Sequence, residues 1–507
     1  MNYLRKGLCT LIFAAFLGCN DEQPQDSPVN LAVNFQHRTT LKVGGEGAAE
    51  ITAYDTRSKK LFIVNVEKKE ISVYDISDLN APKQKNSIPI GNGAPNSVSC
   101  ANGKLAVAIE NTVKQNNGKV HIYDAATQNL EQSYTVGALP DMLSFSKDGK
   151  LLLCANEGEP NKDYTQDPEG SVSIINTASK TVKTLDFKSF NSQLSSLQSK
   201  GLRVFGPNAT LAQDVEPEYI AIADNGKTAW VSLQENNAIA RVNLTSQTIE
   251  ALYPLGFKDY SLEKNYIDPS DKDGKKELRK VPVFGMYQPD AICTVTIKGT
   301  QYLISANEGD SREYEGTPGY VGETRVKKLR LDPTAFPSSE DWQNEAKLGR
   351  LKIAKDLGDT DNDGDYDALY SYGARSFSVW SENGNLLYDS GNSIAKELMA
   401  RSADRFNDND KRSDDKGAEP ESVAVLNIKD QRYLLFVGLE RTDQVLVYDL
   451  TTPTNPKFLD ILSHSGDEAP EGILTLTADE SPSGKELVII ANEDSGTVSI
   501  FENIASN

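Results

Sequence analysis

Cysteine is scarce in this chain of 507 residues, five in all, and histidine is scarcer still at three. Cys9 and Cys19 stand near the start, which leaves Cys100, Cys154 and Cys293 for everything that follows. No two of these are close enough for a zinc motif or a disulfide framework, and all three sit in apolar runs, so buried free thiols are expected. His37, His121 and His464 lack the spacing of paired metal ligands. No Gly-x-Ser-x-Gly elbow, phosphate-cradling Gly-Lys-Ser/Thr loop or His-Glu-x-x-His motif occurs, so acyl transfer by a Ser/His/Asp triad has no support. Positive charge is also in deficit, with 53 Lys and Arg against 73 Asp and Glu and a net charge of −20. Phosphate backbones are bound by neutralising them, which argues against nucleic acid as a partner. Metal cations or cationic surfaces suit the balance; a plain role in keeping a secreted protein soluble suits it as well.

What is present begins with the grammar of a processing signal. Arg5 and Lys6 precede an apolar stretch from Gly7 to Leu17, too short to span a bilayer as a mature helix. Phe16-Leu17-Gly18-Cys19 has the form of a lipobox, in which a small residue before Cys permits cleavage and the Cys19 thiol is lipidated; Phe16 replaces the usual Leu. Residues 1–19 therefore read as a lipoprotein signal peptide and 20–30 as a polar tether, with an ordinary cleaved signal as the alternative. The expected location is the bacterial cell envelope, lipid-anchored to the outer membrane and facing the periplasm or the exterior.

From residue 31 to 504 one phrase recurs: Pro with an acid or amide, an apolar strand, a turn, a returning strand that ends in polar residues, then a third strand. Its openings are Pro95-Asn96, Pro140-Asp141, Pro217-Glu218, Pro289-Asp290, Pro420-Glu421 and Pro470-Glu471, with Ala49-Glu50 as a seventh that lacks the Pro. Short period-2 runs split by Asp-Asn-Gly-Lys and Lys-Asp-Gly-Lys turns are hairpin signals. Four-stranded units repeated radially make a propeller, because each sheet buries its faces only against its neighbours. The expected fold is all-β, a seven-bladed β-propeller whose last blade is completed by the segment from Val33 to Val43, which also protects an open edge. A further hairpin between Tyr370 and Asp389 keeps eight blades as the alternative. Insertions are expected near 158–170, 185–215, 257–285 and 332–415.

In a propeller the start of each first strand and the end of each second strand share one face. The opening acids therefore meet Asn156-Glu157, Asn307-Glu308, Glu440-Arg441 and Asn492-Glu493 around one mouth. That crowding of carboxylates needs cations, protonation or interleaved arginine to offset it, and Arg312, Arg375 and Arg441 are available. The competing view is that repeat acids cap turns. Elsewhere, Asp359, Asp361, Asp363, Asp365 and Asp367, with Gly364 at the sixth place, alternate as calcium ligands do in an EF-hand-like loop. Tyr370 stands where a closing Glu would, so another segment would have to finish the shell. Asp271-Lys-Asp273-Gly274 is a weaker fragment of the same kind, and the charged run from Asp404 to Lys416 is either a ligand-bearing loop or a solvated insertion.

Several long, ordered motifs, Ala155-Asn-Glu-Gly-Glu-Pro160, Ala306-Asn-Glu-Gly-Asp-Ser-Arg312-Glu-Tyr314, Tyr372-Gly-Ala-Arg375-Ser-Phe377 and Ser413-Asp-Asp-Lys-Gly-Ala-Glu-Pro-Glu421, resemble the choice-of-anchor I family over nearly the whole mature chain. Ala418 stands where Pro is common in that family. The resemblance implies a secreted, propeller-like protein attached to a surface by one of several anchors; some relatives carry alkaline phosphatase or phytase-like labels. Likeness of fold does not make the chain an enzyme.

Two functions fit. One is a calcium-stabilised surface propeller for ligand binding or adhesion, needing no catalytic residue. The other is a metal-dependent phosphoesterase: Glu157, Glu308, Glu440 and Glu493 hold Ca²⁺ or another hard cation, Glu421 or Glu471 orients water, and Arg312, Arg375 or Arg441 stabilises the transferring oxygens. The partner is an extracellular ligand or a phosphorylated small molecule, and the membrane is touched through the lipid alone.

Overall fold

The computed structural model describes residues 31–505 apart from 315 and 318. The segments read above as a signal peptide and a polar tether, with Cys19, lie outside the described residues. Among the described residues no helix is long and apolar enough to cross a membrane.

Seven antiparallel sheets repeat one plan. Sheet I comprises Thr52–Asp55, Lys60–Asn65 and Glu70–Asp75, with the last pairing two short pieces, Lys83–Gln84 and Ile88–Pro89. Sheet II runs Pro95–Ala101, Lys104–Ile109, Asn117–Asp124 and Leu130–Ala138, and sheet III runs Pro140–Phe145, Leu151–Asn156, Ser171–Asn176 and Thr181–Asp186. Sheet IV follows with Ile220–Ile222, Thr228–Leu233, Ala238–Asn243 and Thr248–Pro254. Sheet V is made of Ile292–Ile297, Thr300–Asn307, Ser376–Ser381 and Leu386–Asp389, and sheet VI of Pro420–Ile428, Arg432–Leu439, Gln444–Asp449 and Lys457–Leu462. Sheet VII has Pro470–Leu476, Leu487–Asn492 and Thr497–Asn503.

The fourth strand of sheet VII comes from the other end of the chain. Phe35–Lys42 pairs antiparallel with Thr497–Asn503, matching Phe35 to Asn503 and Lys42 to Thr497. This removes the edge that the C-terminal hairpin would otherwise expose. The first strand of each sheet packs against the first strand of the next, and that of sheet VII returns to that of sheet I. The arrangement is all-β and propeller-like.

Local chemistry explains why these strands turn where they do. The hairpins at residues 147–150 and 224–227 carry Gly149 and Gly226 at φ of +67° and +63°, a region that costs glycine nothing. Second strands are almost wholly buried, as in Lys60–Asn65 and Leu487–Asn492, because both faces meet a neighbouring sheet; fourth strands such as Thr181–Asp186 are largely exposed.

The hairpin between Tyr370 and Asp389 begins no additional sheet. Ser376–Ser381 pairs with Thr300–Asn307 in register from Asn307 to Ser376, and Leu386–Asp389 completes the row. The insertion expected over 332–415 is therefore two: residues 308–375 interrupt sheet V after its second strand, and 390–419 follow its fourth. Residues 255–291 and 308–375 also build a small lobe, in which Phe284–Met286 pairs with Phe257–Asp259 and with Tyr370–Ser371. Tyr260, Ile267, Val283, Val326, Phe336 and Leu351 fill its own apolar core.

Candidate functional site

The Asn-Glu motif divides into a structural half and a half that reaches the mouth. Asn156 donates to the hydroxyls of Ser171 at 3.2 Å and Ser173 at 3.0 Å. Asn307 donates to those of Ser376 at 3.1 Å and Ser378 at 2.8 Å, and Asn492 to Thr497 Oγ1 at 3.2 Å. Each buried amide pins the end of a second strand to the start of the third, satisfying groups that would be costly if left unpaired. The next residue, Glu157, Glu308 or Glu493, is thereby held at the mouth.

A cavity of about 470 Å³ occupies part of this mouth. Glu50, Glu110, Asp141, Glu157, Glu159, Asp290 and Glu471 line it, together with Ile51, Val66, Ala94, Leu139, Met142, Tyr219 and Ala291; Lys114 is the cation in the lining. The carboxylates of Glu50, Asp141, Glu157 and Asp290 accept no hydrogen bond and form no ion pair among the described residues. Burial, then the charges of Glu493 and Asp141, push the Glu50 carboxyl up to about 8. Burial raises Asp141 to about 6, against the pull of Lys114. Glu157, Asp290 and Glu471 also stand well above the usual carboxylate range, through burial first and then through Glu216, Glu308 and Glu493 respectively.

A second neighbourhood lies beside Asp290. Oxygens of Asp290, Glu308 and Glu421 come within 4.8 Å of one another, and so do oxygens of Glu308, Glu419 and Glu440. Of the four glutamates expected to share one metal, Glu308 and Glu440 meet here, while Glu157 and Glu493 belong to neither group. Glu308 accepts Gln234 Nε2 at 2.9 Å and pairs with Lys416 Nζ at 2.5 Å. Glu419 pairs with Arg412 at 2.6 Å, Arg441 at 3.1 Å and Lys416 at 3.5 Å. Burial raises Glu419, but those three cations hold it below its ordinary value. Glu440 is pushed up to about 8 by burial and then by Glu419. Glu421 Oε2 is inaccessible and has no partner. Glu471, the alternative water-orienting residue, sits in the cavity instead.

Two of the three arginines expected at the mouth are elsewhere. Arg312 is 4% exposed and pairs with Asp214 at 3.0 Å and Glu216 at 2.7 Å, which leaves no free edge for a substrate. Arg375 donates to the carbonyls of Asp268, Ser413 and Asp415 at 2.8, 2.9 and 2.6 Å, so it ties three insertion segments together. Arg441 does reach the mouth, where Glu440 at 2.7 Å and Glu419 engage it. Lys416, Lys114 and Glu419 were not singled out from sequence; the signal for Lys416 lay in the charged run from Asp404, whose turns carry it over Glu308.

The Asp-rich loop keeps a compact form. Asp363 N donates to Asp359 Oδ1 at 3.1 Å, Gly364 N to Asp359 Oδ2 at 3.1 Å, and Thr360 N to Asp367 Oδ2 at 2.8 Å. Oxygens of Asp359, Asp361 and Asp367 gather within 4.8 Å, and a second group joins Asp332, Asp365 and Asp367. Asp332 comes from a distant stretch, brought in by the parallel bridge of Leu331 with Tyr366. Asp363 joins neither group, and Asp365 also pairs with Arg330 at 3.2 Å. The carboxylates of Asp271 and Asp273 are taken by Arg350 at 2.5 Å and Arg279 at 3.0 Å, so that fragment is a salt-bridged turn.

Comparison with known proteins gives three findings. The model of the choice-of-anchor I domain matches residues 50–453. Gigasin-3a of Magallana gigas is 32% identical over 188 residues, 31% of this chain and 66% of that protein; the chain thus spans just under two thirds of this curated relative. Among solved structures, Kuenenia stuttgartiensis hydrazine synthase overlays with a TM-score of 0.49 at 11% identity, covering 92% of this chain and 98% of that one. The β-propeller domain of Myceliophteria thermophila Cps50 (Swd1) overlays with a TM-score of 0.47 at 8% identity, covering 92% and 99%.

Proposed function

The chain belongs to the choice-of-anchor I family, and from that premise we propose that it is a bacterial cell-surface propeller of seven blades, lipid-anchored through Cys19, that binds an extracellular ligand of positive charge at its carboxylate-lined mouth. The observation that carries this reading is the set of four carboxylates, Glu50, Asp141, Glu157 and Asp290, which face one cavity with no cation or donor paired to them. Like charges held together out of water favour either protons or a cationic ligand. Ca²⁺ held by Asp359, Asp361 and Asp367 would stiffen the small lobe that carries them.

The phosphoesterase reading draws on the two carboxylate groups around Glu308, which have the donors for a hard cation. It is the weaker of the two. Arg312 and Arg375 are consumed by internal partners, so they offer nothing to a phosphoryl group. Full-length protein assayed with 4-nitrophenyl phosphate, after chelation and after return of Ca²⁺, separates the two. The binding reading expects no phosphate release, with Ca²⁺ raising the melting temperature. Ca²⁺-restored turnover that vanishes in Glu308→Gln would overturn it.

A further inference from the structure

Resting on that reading of the mouth, we propose that the 470 Å³ cavity takes an alkyl-ammonium chain, seating methylenes on Ile51, Val66, Leu139 and Met142 and ammonium groups on Asp141, Glu157 and their neighbours. Such a chain has two sources, a free linear polyamine or a lysyl side chain borne by another protein.

The lining has two characters, and a bare metal ion would use one of them. A hard divalent cation wants six to eight oxygens at 2.3–2.6 Å and gains nothing from apolar surface. Glu50, Asp141, Glu157 and Glu471 fall in none of the groups whose oxygens lie within 4.8 Å of one another. The wall they line also carries apolar side chains, a mixture that suits charges separated by methylenes. The carboxylate triads suited to a metal lie outside this part of the mouth, save that Asp290 borders both.

The protein already displays one such group in place. Lys114 extends an alkyl-ammonium into the lining and pairs with Glu159 at 3.4 Å. Glu159, Glu110 and Glu157 together outweigh the cost of its partial burial, so its pKa rises. Its pull reaches Asp141 and that of Lys416 reaches Asp290, yet neither carboxylate is paired with a cation, and Glu50 has no cation acting on it among the described residues. Behind that lining Glu218 is 9% exposed, its Oε2 has no partner, and the charges of Glu235, Glu157, Asp290 and Asp141 bear on it. A buried oxygen left unpaired costs free energy that a bound N–H⁺ donor would recover.

Calorimetric titration of the full chain with spermidine, with Nα-acetyl-lysine N-methylamide and with CaCl₂ tests this, alongside the double variant Asp141→Asn/Glu157→Gln. Spermidine is expected to bind with release of protons, to bind more tightly as pH rises from 5 to 8.5, and to lose at least about tenfold in affinity in the double variant, roughly 1.4 kcal/mol. Preference for spermidine over the lysine derivative assigns a free polyamine; the reverse assigns a protein-borne lysine. Absence of binding by both amines overturns the proposal, as does amine binding that ignores both the substitutions and pH. Ca²⁺ binding lost in the double variant, without amine binding, overturns it too and leaves the cation-binding mouth standing. The pH series on unmodified protein decides the matter even if the variant fails to fold.

Discussion

Lys416 Nζ lies 2.5 Å from Glu308 Oε1, which joins the loop after the fourth strand of sheet V to the end of its second strand. Both side chains are about nine-tenths buried, and Asp310 and Glu419 stand 3.8 and 3.5 Å from the same ammonium. The pair therefore offsets a group of carboxylates while closing the loop over the mouth.

Removing that ammonium leaves buried charge uncompensated. Lys416→Met is expected to lower stability by about 3–5 kcal/mol, the cost of breaking a buried pair from one side. The added substitution Glu308→Gln should recover part of the loss, since it removes one orphaned charge. Urea denaturation of the single and double variants measures both, and an unchanged midpoint for Lys416→Met would refute the latch.

Gly373 packs backbone to backbone against the Glu308-Gly309 turn. A Cβ there would meet Glu308 O at 1.9 Å, and φ is +69°. Gly373→Ala combines a clash with strain in the left-handed region and is expected to cost well above about 1 kcal/mol. The matching test at an open position is Gly226→Ala, where nothing lies within 4 Å; its midpoint should fall by much less.

Stability without ligand should decline as pH rises. Glu50 keeps its proton up to about 8 and Asp141 up to about 6 in the folded chain, while both ionise near 4 when unfolded. Between those values the folded state holds more protons than the unfolded state, so stability is fully present below about pH 4 from these groups and is lost through pH 6 to 8. Denaturation midpoints across pH 5 to 9 report the slope, which Glu50→Gln should flatten; a midpoint that rises over this range would contradict the assignment.

Calcium should stabilise the loop that holds Asp359, Asp361 and Asp367. At a hundredfold excess over its dissociation constant the gain is about 2.7 kcal/mol, read as a raised melting temperature that a chelator reverses. Asp359→Asn/Asp361→Asn removes two charges from the group and should abolish the shift, whereas Asp363→Asn, which joins neither group, should keep most of it. Equal effects of the two variants would assign the shift to charge in general.

Much of the ring was legible in the residues themselves. Period-2 apolar runs, Gly-bearing turns such as Asp224 to Lys227, and the Pro-acid openings predict where each sheet begins, because strand alternation and positive φ are local requirements. The pairing of Phe35–Lys42 with sheet VII followed from a missing fourth strand. The hairpin at Ser376 was harder to place, since residues 308–375 separate it from the strand it pairs with and no local signal spans that distance.

Sequence alone thus determined the repeating sheets, the acidic face and which glutamates follow the pinning asparagines, all matters of short-range pattern. Tertiary structure alone decided the use of each charge. Arg312 met Asp214 and Glu216, Arg375 met three carbonyls, Lys416 came to Glu308, and Asp332 came to Asp365. Each of these partners is distant in sequence, and Arg312 and Lys416 go where folding leaves an unpaired opposite charge out of water, because that is where the pairing is worth most.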